Sequence, residues 1–474
     1  MSGGGLVKSV HAQEPPPAGS AAPPATPAPE PSSTAALEER IRILEQRLQE
    51  LDQRQRSEQR PAPSDPKAAQ KTEQKAEQKP DQKPGAEQGP RQGAAPDKTA
   101  AKPKLLPVFT LAPGKGIGLA LPDGRFSFNL RFRTQLRDTI LRQNDKTTNE
   151  IGFKTIRLWL TGNLLNPDIK YGIQLAFGFG DFETGSSTPL FDAFIEYTRL
   201  RDLQIKAGQF FVPFDRLRTI REFALQLVDR PAVIRELSLD RDVGIAFSSQ
   251  DLFGSHGVLS YHLGVFGGEG RNRFGGAVPG GLYVGRIAIR PFGAFDDDIE
   301  GDLERLRRPR LAIGLAGAYN QATNRQRGTT GNTYTLGTFD YAHAAADLIF
   351  KCAGVYLAGE VLYRQAWQPF REATKDGKTV REWSRSAWGY VIQASAMVHR
   401  QVEVVGRWEH LIPIGNTDPT LIQTGKDQNR QAGGGLNLYL NGHLFKLQAD
   451  YFYLFGTTTT ARGHQLRFQL DVSI

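Results

Sequence analysis

The chain of 474 residues has little of what marks several common classes of protein. Its single cysteine, Cys352, cannot form an internal disulfide. Only 39% of the residues are hydrophobic, and no apolar run approaches the roughly 18 residues that a membrane helix needs. The eight histidines lack convincing Ser and Asp or Asn partners, and no metal-ligand spacing or phosphate-cradling glycine motif occurs. We therefore predict no membrane helix, no enzyme, no metal and no cofactor.

The net charge of +9 raises the question of a nucleic-acid partner. Lysines, arginines and acidic residues are spread along the whole chain, and neither a basic recognition helix nor an aromatic-glycine RNA motif is present. The sequence therefore predicts no binding of nucleic acid.

The first 113 residues divide into four segments by composition. Residues 1–12 end in Val10-His11-Ala12, which is typical of a secretory cleavage site, and we interpret them as the remnant of a leader. An alanine-rich tail without such a role is the alternative. Residues 13–32 are a Pro/Ala-rich spacer, and residues 59–113 are a Lys/Gln/Pro/Ala-rich linker that we expect to be disordered.

Residues 33–58 between these segments have the pattern of a short coiled coil. Apolar residues follow a four-three-four-three spacing, and charged residues fill the outer positions. The seam consists of Leu37, Ile41, Leu44, Leu48 and Leu51. A lone amphipathic helix is the alternative, but its flanks give it nothing to pack on. A helix this short is marginal alone, so we expect it to act beside a larger oligomeric body, either in trimerisation or in contact with peptidoglycan.

The stretch from His464 to Ile474 alternates apolar and polar residues without exception. Its apolar members are Leu466, Phe468, Leu470, Val472 and Ile474. A period of two predicts a strand with one apolar face, and the length is about the 9 to 11 residues of a tilted membrane strand. The same pattern recurs back to Phe126 in fifteen further segments.

The connections between these sixteen segments alternate in length. Short turns such as Leu165–Asp168 and Asn441-Gly442 follow the even strands, whereas long polar stretches such as Asp138–Glu150 and Gln368–Ser384 follow odd ones. Phe292–Arg308 is an exception, since it is long where a short turn is expected. An even number of strands with short turns on one rim is typical of bacterial outer-membrane barrels.

Residues 114–474 are therefore predicted to form an all-β, 16-stranded antiparallel transmembrane β-barrel in the outer membrane of a Gram-negative bacterium. Its partner would be outer-membrane lipid. The last strand should pair with the first to close the barrel, because lipid does not tolerate an open sheet edge. The N-terminal region would then be periplasmic.

Several motifs in this region resemble a known family. Residues 205–214 read Ile-Lys-Ala-Gly-Gln-Phe-Phe-Val-Pro-Phe, and Arg241-Asp242-Val243-Gly244 follows. Leu263–Gly268 and Gly285–Pro291 continue the series in order. Together these stretches resemble the phosphate-selective porin O and P family, and the likeness covers roughly residues 114–474.

The resemblance implies a sixteen-stranded, trimeric porin whose third long loop folds inward. The longest connection of the chain, Val212–Asp240, fits that loop, and we expect a helical turn or two within Ile220–Val228. The family ends in an aromatic residue where this chain has Ile474. That position belongs to the signal read by the barrel assembly machinery, so the departure bears on insertion.

Arginines of the first two strands and of this loop could line an anion path, because guanidinium groups replace the hydration of an anion and suit phosphate oxygens. The candidates are Arg131, Arg133, Arg137, Arg157, Arg216, Arg218, Arg221, Arg230 and Arg235. We predict passive diffusion of small anions such as phosphate. Acidic residues on the same strands and loop keep open a general non-selective porin, and a structural or tethering protein is a further alternative.

Overall fold

The computed structural model describes residues 106–112, 114–182, 188–273 and 280–474. The predicted leader remnant, spacer and coiled coil, with most of the linker, lie outside these described residues.

Twenty strands occur in the described part of the chain. They are β1 (Val108–Ala112), β2 (Gly116–Ala120), β3 (Ser127–Gln143), β4 (Lys146–Asn163), β5 (Ile169–Ala176), β6 (Leu190–Tyr197), β7 (Gln204–Phe211), β8 (Arg241–Ser249), β9 (Leu259–Phe266), β10 (Gly281–Ile289), β11 (Arg310–Thr323), β12 (Phe339–Cys352), β13 (Val355–Ala366), β14 (Phe370–Lys375), β15 (Lys378–Trp383), β16 (Ala387–Met397), β17 (Val402–Pro413), β18 (Arg430–Asn441), β19 (Phe445–Phe455) and β20 (Gly463–Ser473).

Sixteen of these strands, β3 to β13 and β16 to β20, form a closed ring. Each pairs antiparallel with its neighbours. The last strand pairs with the first, with Gly463 opposite Gln143 and Ser473 opposite Arg133. The predicted 16-stranded antiparallel barrel, closed by the strand ending near Ile474, is confirmed.

The wall is apolar outside and polar inside. On β20 the lumen-facing Arg467, Gln469 and Asp471 are at most 5% exposed, whereas Phe468 between them is 46% exposed. A soluble sheet would bury the apolar face instead. Since a closed ring also leaves no unpaired edge, the exterior suits the hydrocarbon of a bilayer.

The connections mostly follow the predicted rhythm, with two corrections. The predicted loop Asp138–Glu150 is wrong, because β3 and β4 continue to a two-residue turn at Asn144 and Asp145, both with positive φ. Their polar residues continue the antiparallel pairing of β3 and β4 beyond the apolar belt of the barrel instead of forming a loop. Similarly, Lys351 and Cys352 end β12 rather than forming the turn, which lies at Ala353-Gly354.

Two small hairpins add to the ring. β14 and β15 pair within the predicted long connection Gln368–Ser384. β1 pairs with β2, and β2 pairs with Ser127–Leu130 of β3. The backbone N–H and C=O groups of Ile474 form hydrogen bonds with Phe132, where the pairing of β20 with β3 ends. β2 pairs with the part of β3 that precedes this point.

In the described ranges, helical structure is confined to the connections between strands. The helices are α1 (Arg216–Thr219), α2 (Ala232–Leu237) and α3 (Pro419–Gln428), with single 3-10 turns at Glu222–Ala224, Leu252–Gly254 and Thr459–Ala461. The predicted turns within Ile220–Val228 reduce to the one 3-10 turn. Among the described residues, none of the helices has both the length and the apolarity to cross a bilayer.

The connection Val212–Asp240, here called the inner loop, folds into the barrel. Its apolar side chains Phe214, Ile220 and Val233 are fully buried. They belong to one cluster with inward-facing strand residues such as Leu282 and Leu362. The inner loop therefore packs on the wall that includes β10 and β13, and the free lumen lies off-centre, beside β3 to β8.

An arginine placed on the lipid face should destabilise the barrel most at mid-depth. Phe468→Arg, in the middle of β20, should cost about 2–4 kcal/mol of unfolding free energy, whereas His464→Arg near the rim should cost about 0–1 kcal/mol. Urea unfolding in vesicles, followed by heat-modifiable gel mobility, measures both variants. Equal losses would contradict the lipid-facing assignment.

Candidate functional site

The free lumen beside the inner loop contains two cavities whose linings are rich in arginine. The first opens beside Ser473 and Ile474 at the short-turn rim and is called the short-turn cavity. One acidic residue, Glu222, lies among its lining residues. Its basic residues are Arg131, Arg133, Arg157, Arg221, Arg230 and Arg241.

The second, the long-loop cavity, opens toward the opposite rim beside Thr330–Asn332. Its basic residues are Lys154, Arg157, Arg218, Arg230, Arg235, Arg271, Arg325 and Arg327, and its acidic residues are Asp181, Glu222, Asp229 and Asp240. Arg157, Glu222 and Arg230 line both cavities. These three side chains therefore lie where the two cavities adjoin, a position that is called the narrow point below.

At this narrow point the charges are paired. The guanidinium group of Arg157 contacts Asp181 and Glu222 at 2.5 Å each, and Arg230 contacts Glu222 at 3.1 Å. Burial would raise the pKa of Glu222, but the guanidinium groups of Arg157 and Arg230 hold that pKa well below its usual range. Glu222 is therefore a fixed negative charge that offsets part of the local positive charge.

Three predicted arginines, Arg131, Arg221 and Arg235, have no carboxylate at ion-pair distance within the described ranges. Arg221 is exposed to the lumen and stacks on Trp159, 3.8 Å from the ring centroid. Loss of bulk water around the guanidinium group inside the barrel, together with the positive charge of Arg131, lowers the pKa of Arg221 to about 10. Arg221 thus stays charged at neutral pH, and the three side chains add positive charge to the lumen that no ion pair offsets.

Arg133 and Arg137 of β3 hold neighbouring elements in place. Arg133 donates to Asp471 of β20 at 2.7 Å, across the closing seam. Arg137 donates to the carbonyl oxygen of Val228 at 2.6 Å and to Asp229 at 3.3 Å. Arg137 therefore ties the inner loop to the wall and does not line either cavity.

Arg216 lies on the far side of the inner loop and also lines neither cavity. Its guanidinium group contacts Asp347 of β12 at 2.5 Å and Asp297 at 2.7 Å. Arg218, two residues on, forms an ion pair with Asp240 and lines the long-loop cavity. About half a helical turn thus separates an anchoring arginine from a lumen-lining one, so the two point in opposite directions.

The unusual connection after β10, Pro291–Pro309, is long because it folds inward from the short-turn rim. The backbone N–H of its Glu300 donates to Ala224 at 3.0 Å, and the Glu300 carboxylate accepts from the N–H of Gln226 at 2.7 Å. With the Arg216–Asp297 pair, these contacts lock it to the inner loop. The two segments together fill the lumen away from the cavities.

Several lining residues escaped the sequence analysis. Arg241 lies on the lumen face of β8 and pairs with Asp192 at 2.8 Å. The alternation of apolar and polar residues along β8 would have predicted this orientation. Trp159 shares the lumen face of β4 with Arg157, two residues earlier. Arg271, Arg325 and Arg327 lie in long connections, where no periodicity indicates direction.

No family model matches this chain, and no curated protein matches it. Solved structures do: a loop-deletion mutant of OmpT, an outer membrane protein of Vibrio cholerae, has 12% identity and a TM-score of 0.47, covering 73% of this chain and 99% of that one. The outer membrane channel DcaP of Acinetobacter baumannii has 11% identity and a TM-score of 0.46, covering 75% and 99%. Salmonella typhi OmpF has 13% identity and a TM-score of 0.48, covering 74% and 98%. The predicted membership of the phosphate-selective porin O and P family is not confirmed by these comparisons.

Removing the Arg216 anchor should loosen the inner loop. Arg216→Ala removes one arginine partner from each of two buried carboxylates, while Asp347 keeps Arg286 and Asp297 keeps Arg290, so it should lower the unfolding free energy by about 1.5–3 kcal/mol. The control is Arg201→Ala, which breaks an exposed pair with Asp202 and should leave the unfolding free energy nearly unchanged. Urea unfolding of both variants checks this, and a loss no larger than that of the control would show that Arg216 is not an anchor.

Proposed function

We propose that the protein is an outer-membrane porin through which small solutes diffuse passively, with a preference for anions. The observation that carries the preference is the excess of basic over acidic side chains along the whole path, six to one in the short-turn cavity and eight to four in the long-loop cavity. Passive diffusion needs only such a path and the gradient of the solute.

Fixed guanidinium groups replace the hydrogen bonds with water that an anion loses when it leaves bulk solvent. Each presents a planar fork of N–H donors that suits carboxylate and phosphate oxygens. Arg131, Arg221 and Arg235 have donors that no carboxylate occupies in the described residues. A row of such groups lowers the barrier for anions and raises it for cations, and inorganic phosphate is among the anions that would fit.

The proposed orientation places the short-turn rim in the periplasm, as is usual for outer-membrane barrels. β1 and β2 lie at that rim, since β2 pairs with the start of β3. Residues preceding Leu106 would then lie in the periplasm. Trimer formation, the coiled coil and its possible contact with peptidoglycan stay predictions from the sequence.

A general, weakly selective porin is the second candidate, and the ion pairs at the narrow point favour it. Arg157, Arg230 and Arg241 all contact carboxylates, so they add less net charge than their number suggests. The unpaired arginines on either side of the narrow point decide between the two candidates.

Neutralising the three unpaired arginines should reduce anion preference. A charge about 10 Å from an ion in water contributes about 0.4 kcal/mol, with opposite sign for an anion and a cation, so each Arg→Gln change should lower the anion-to-cation permeability ratio up to about fourfold. The triple variant Arg131→Gln, Arg221→Gln, Arg235→Gln is measured by its reversal potential in a planar bilayer under a salt gradient.

The matched control removes the same three charges elsewhere. Arg125, Arg201 and Arg381 form exposed pairs and line neither cavity, so their change to Gln should leave the reversal potential near that of the wild type. Cation preference in the wild-type protein would refute the anion proposal. Absence of conductance would favour the structural or tethering alternative.

A further inference from the structure

The short-turn cavity combines arginines with aromatic rings. The guanidinium carbon of Arg241 lies 3.7 Å from the ring centroid of Phe211, and that of Arg221 lies 3.8 Å from the centroid of Trp159. Arg133 lies 5.0 Å from the centroid of Phe223. All three rings line the cavity. Guanidinium planes stacked on rings leave flat, partly apolar surfaces with hydrogen-bond donors at their edges.

Arg221 presents such a plane to the lumen. One face of its guanidinium group lies on Trp159, and the side chain as a whole is exposed. A flat ligand could lie on the outer face and lengthen the stack by one layer. Leu444 and Ile474 add apolar surface on the rim side of the same cavity.

Two buried donors beside this stack have no acceptor in the described residues, namely Nε of Arg131 and Nε1 of Trp159. The two residues are cross-strand partners on β3 and β4. Buried donors are normally satisfied, and leaving one without a partner costs about 1–3 kcal/mol. Because neither atom is exposed in this conformation, an acceptor such as a carboxylate in the cavity would satisfy them once the two side chains turn toward it.

We propose that the short-turn cavity is a binding site for aromatic carboxylates. The carboxylate would lie between Arg131 and Arg221, and the ring would stack on the Arg221–Trp159 layer. This inference rests on the proposed anion path and names the class of solute that it would favour. Chloride and phosphate have no apolar surface to stack on the rings, so only the positive charge of the cavity would contribute to their binding.

The experiment uses the full chain in planar bilayers and three probes of equal charge, namely benzoate, cyclohexanecarboxylate and acetate. Cyclohexanecarboxylate matches benzoate in size but is not flat. Each is titrated against the chloride current. Because an aromatic stacking contact contributes about 0.5–1.5 kcal/mol, benzoate should block at a concentration up to about tenfold lower than cyclohexanecarboxylate.

Two variants test the residues named. Trp159→Leu removes the base of the stack, and Arg221→Lys keeps the charge but removes the guanidinium plane. Each should weaken the block by benzoate several-fold and leave the weaker block by acetate less affected. The control, Trp408→Leu, removes a tryptophan on the opposite face of the wall, on β17, and should leave the block by benzoate unchanged. Heat-modifiable gel mobility verifies that each variant folds.

Equal block by benzoate and cyclohexanecarboxylate would overturn the proposal, and so would unchanged benzoate block in both folded variants. The chloride reversal potential of the wild-type protein is measured in the same bilayers. Anion preference with no benzoate discrimination would overturn only the aromatic site, whereas cation preference would overturn the proposed function itself.

Discussion

The architecture depends on the closure of the sheet between β20 and β3. Eleven residue pairs join these strands, which come from opposite ends of the barrel sequence. In hydrocarbon an open edge would leave a row of backbone N–H and C=O groups without partners, at a cost of several kcal/mol for each. Once the ring is closed, alternation alone assigns every strand residue to lipid or lumen. The charged side chains in the lumen then need partners from within the barrel, and the inner loop supplies many of them.

The inner loop shapes the lumen because it has two different faces. Its apolar side chains pack on inward-facing Leu, Val and Ala residues of the wall, and Arg216 locks it to the connection that enters from the other rim. Its charged face, with Arg218, Arg221 and Arg230, looks across the free space toward β3 and β4. The same fold that fills one side of the barrel thus leaves an off-centre space lined by guanidinium groups.

The strands could be predicted from the sequence, and much of the site could not. Period-two alternation is local, so all sixteen barrel strands and the closing role of His464–Ile474 follow from it. The sequence did not indicate that β3 continues past Asp138 or that β4 begins before Glu150, because the polar residues beyond the apolar belt have the composition of a loop. Arg216 and Arg221 stand five residues apart in one loop with identical chemistry, and only long-range packing decides that one is an anchor and the other faces the lumen. The inward course of Pro291–Pro309 depends on the same non-local contacts.

The hairpin of β1 and β2 connects the preceding chain to the barrel. Among the described residues β1 pairs with β2 through five residue pairs, and β2 pairs with β3 through four, outside the eleven pairs that seal the ring. Force on the chain before Val108 therefore enters the barrel through these nine pairs. If they separate, the freed segment can lengthen by roughly 3.3–3.6 Å per residue while the eleven sealing pairs stay in place.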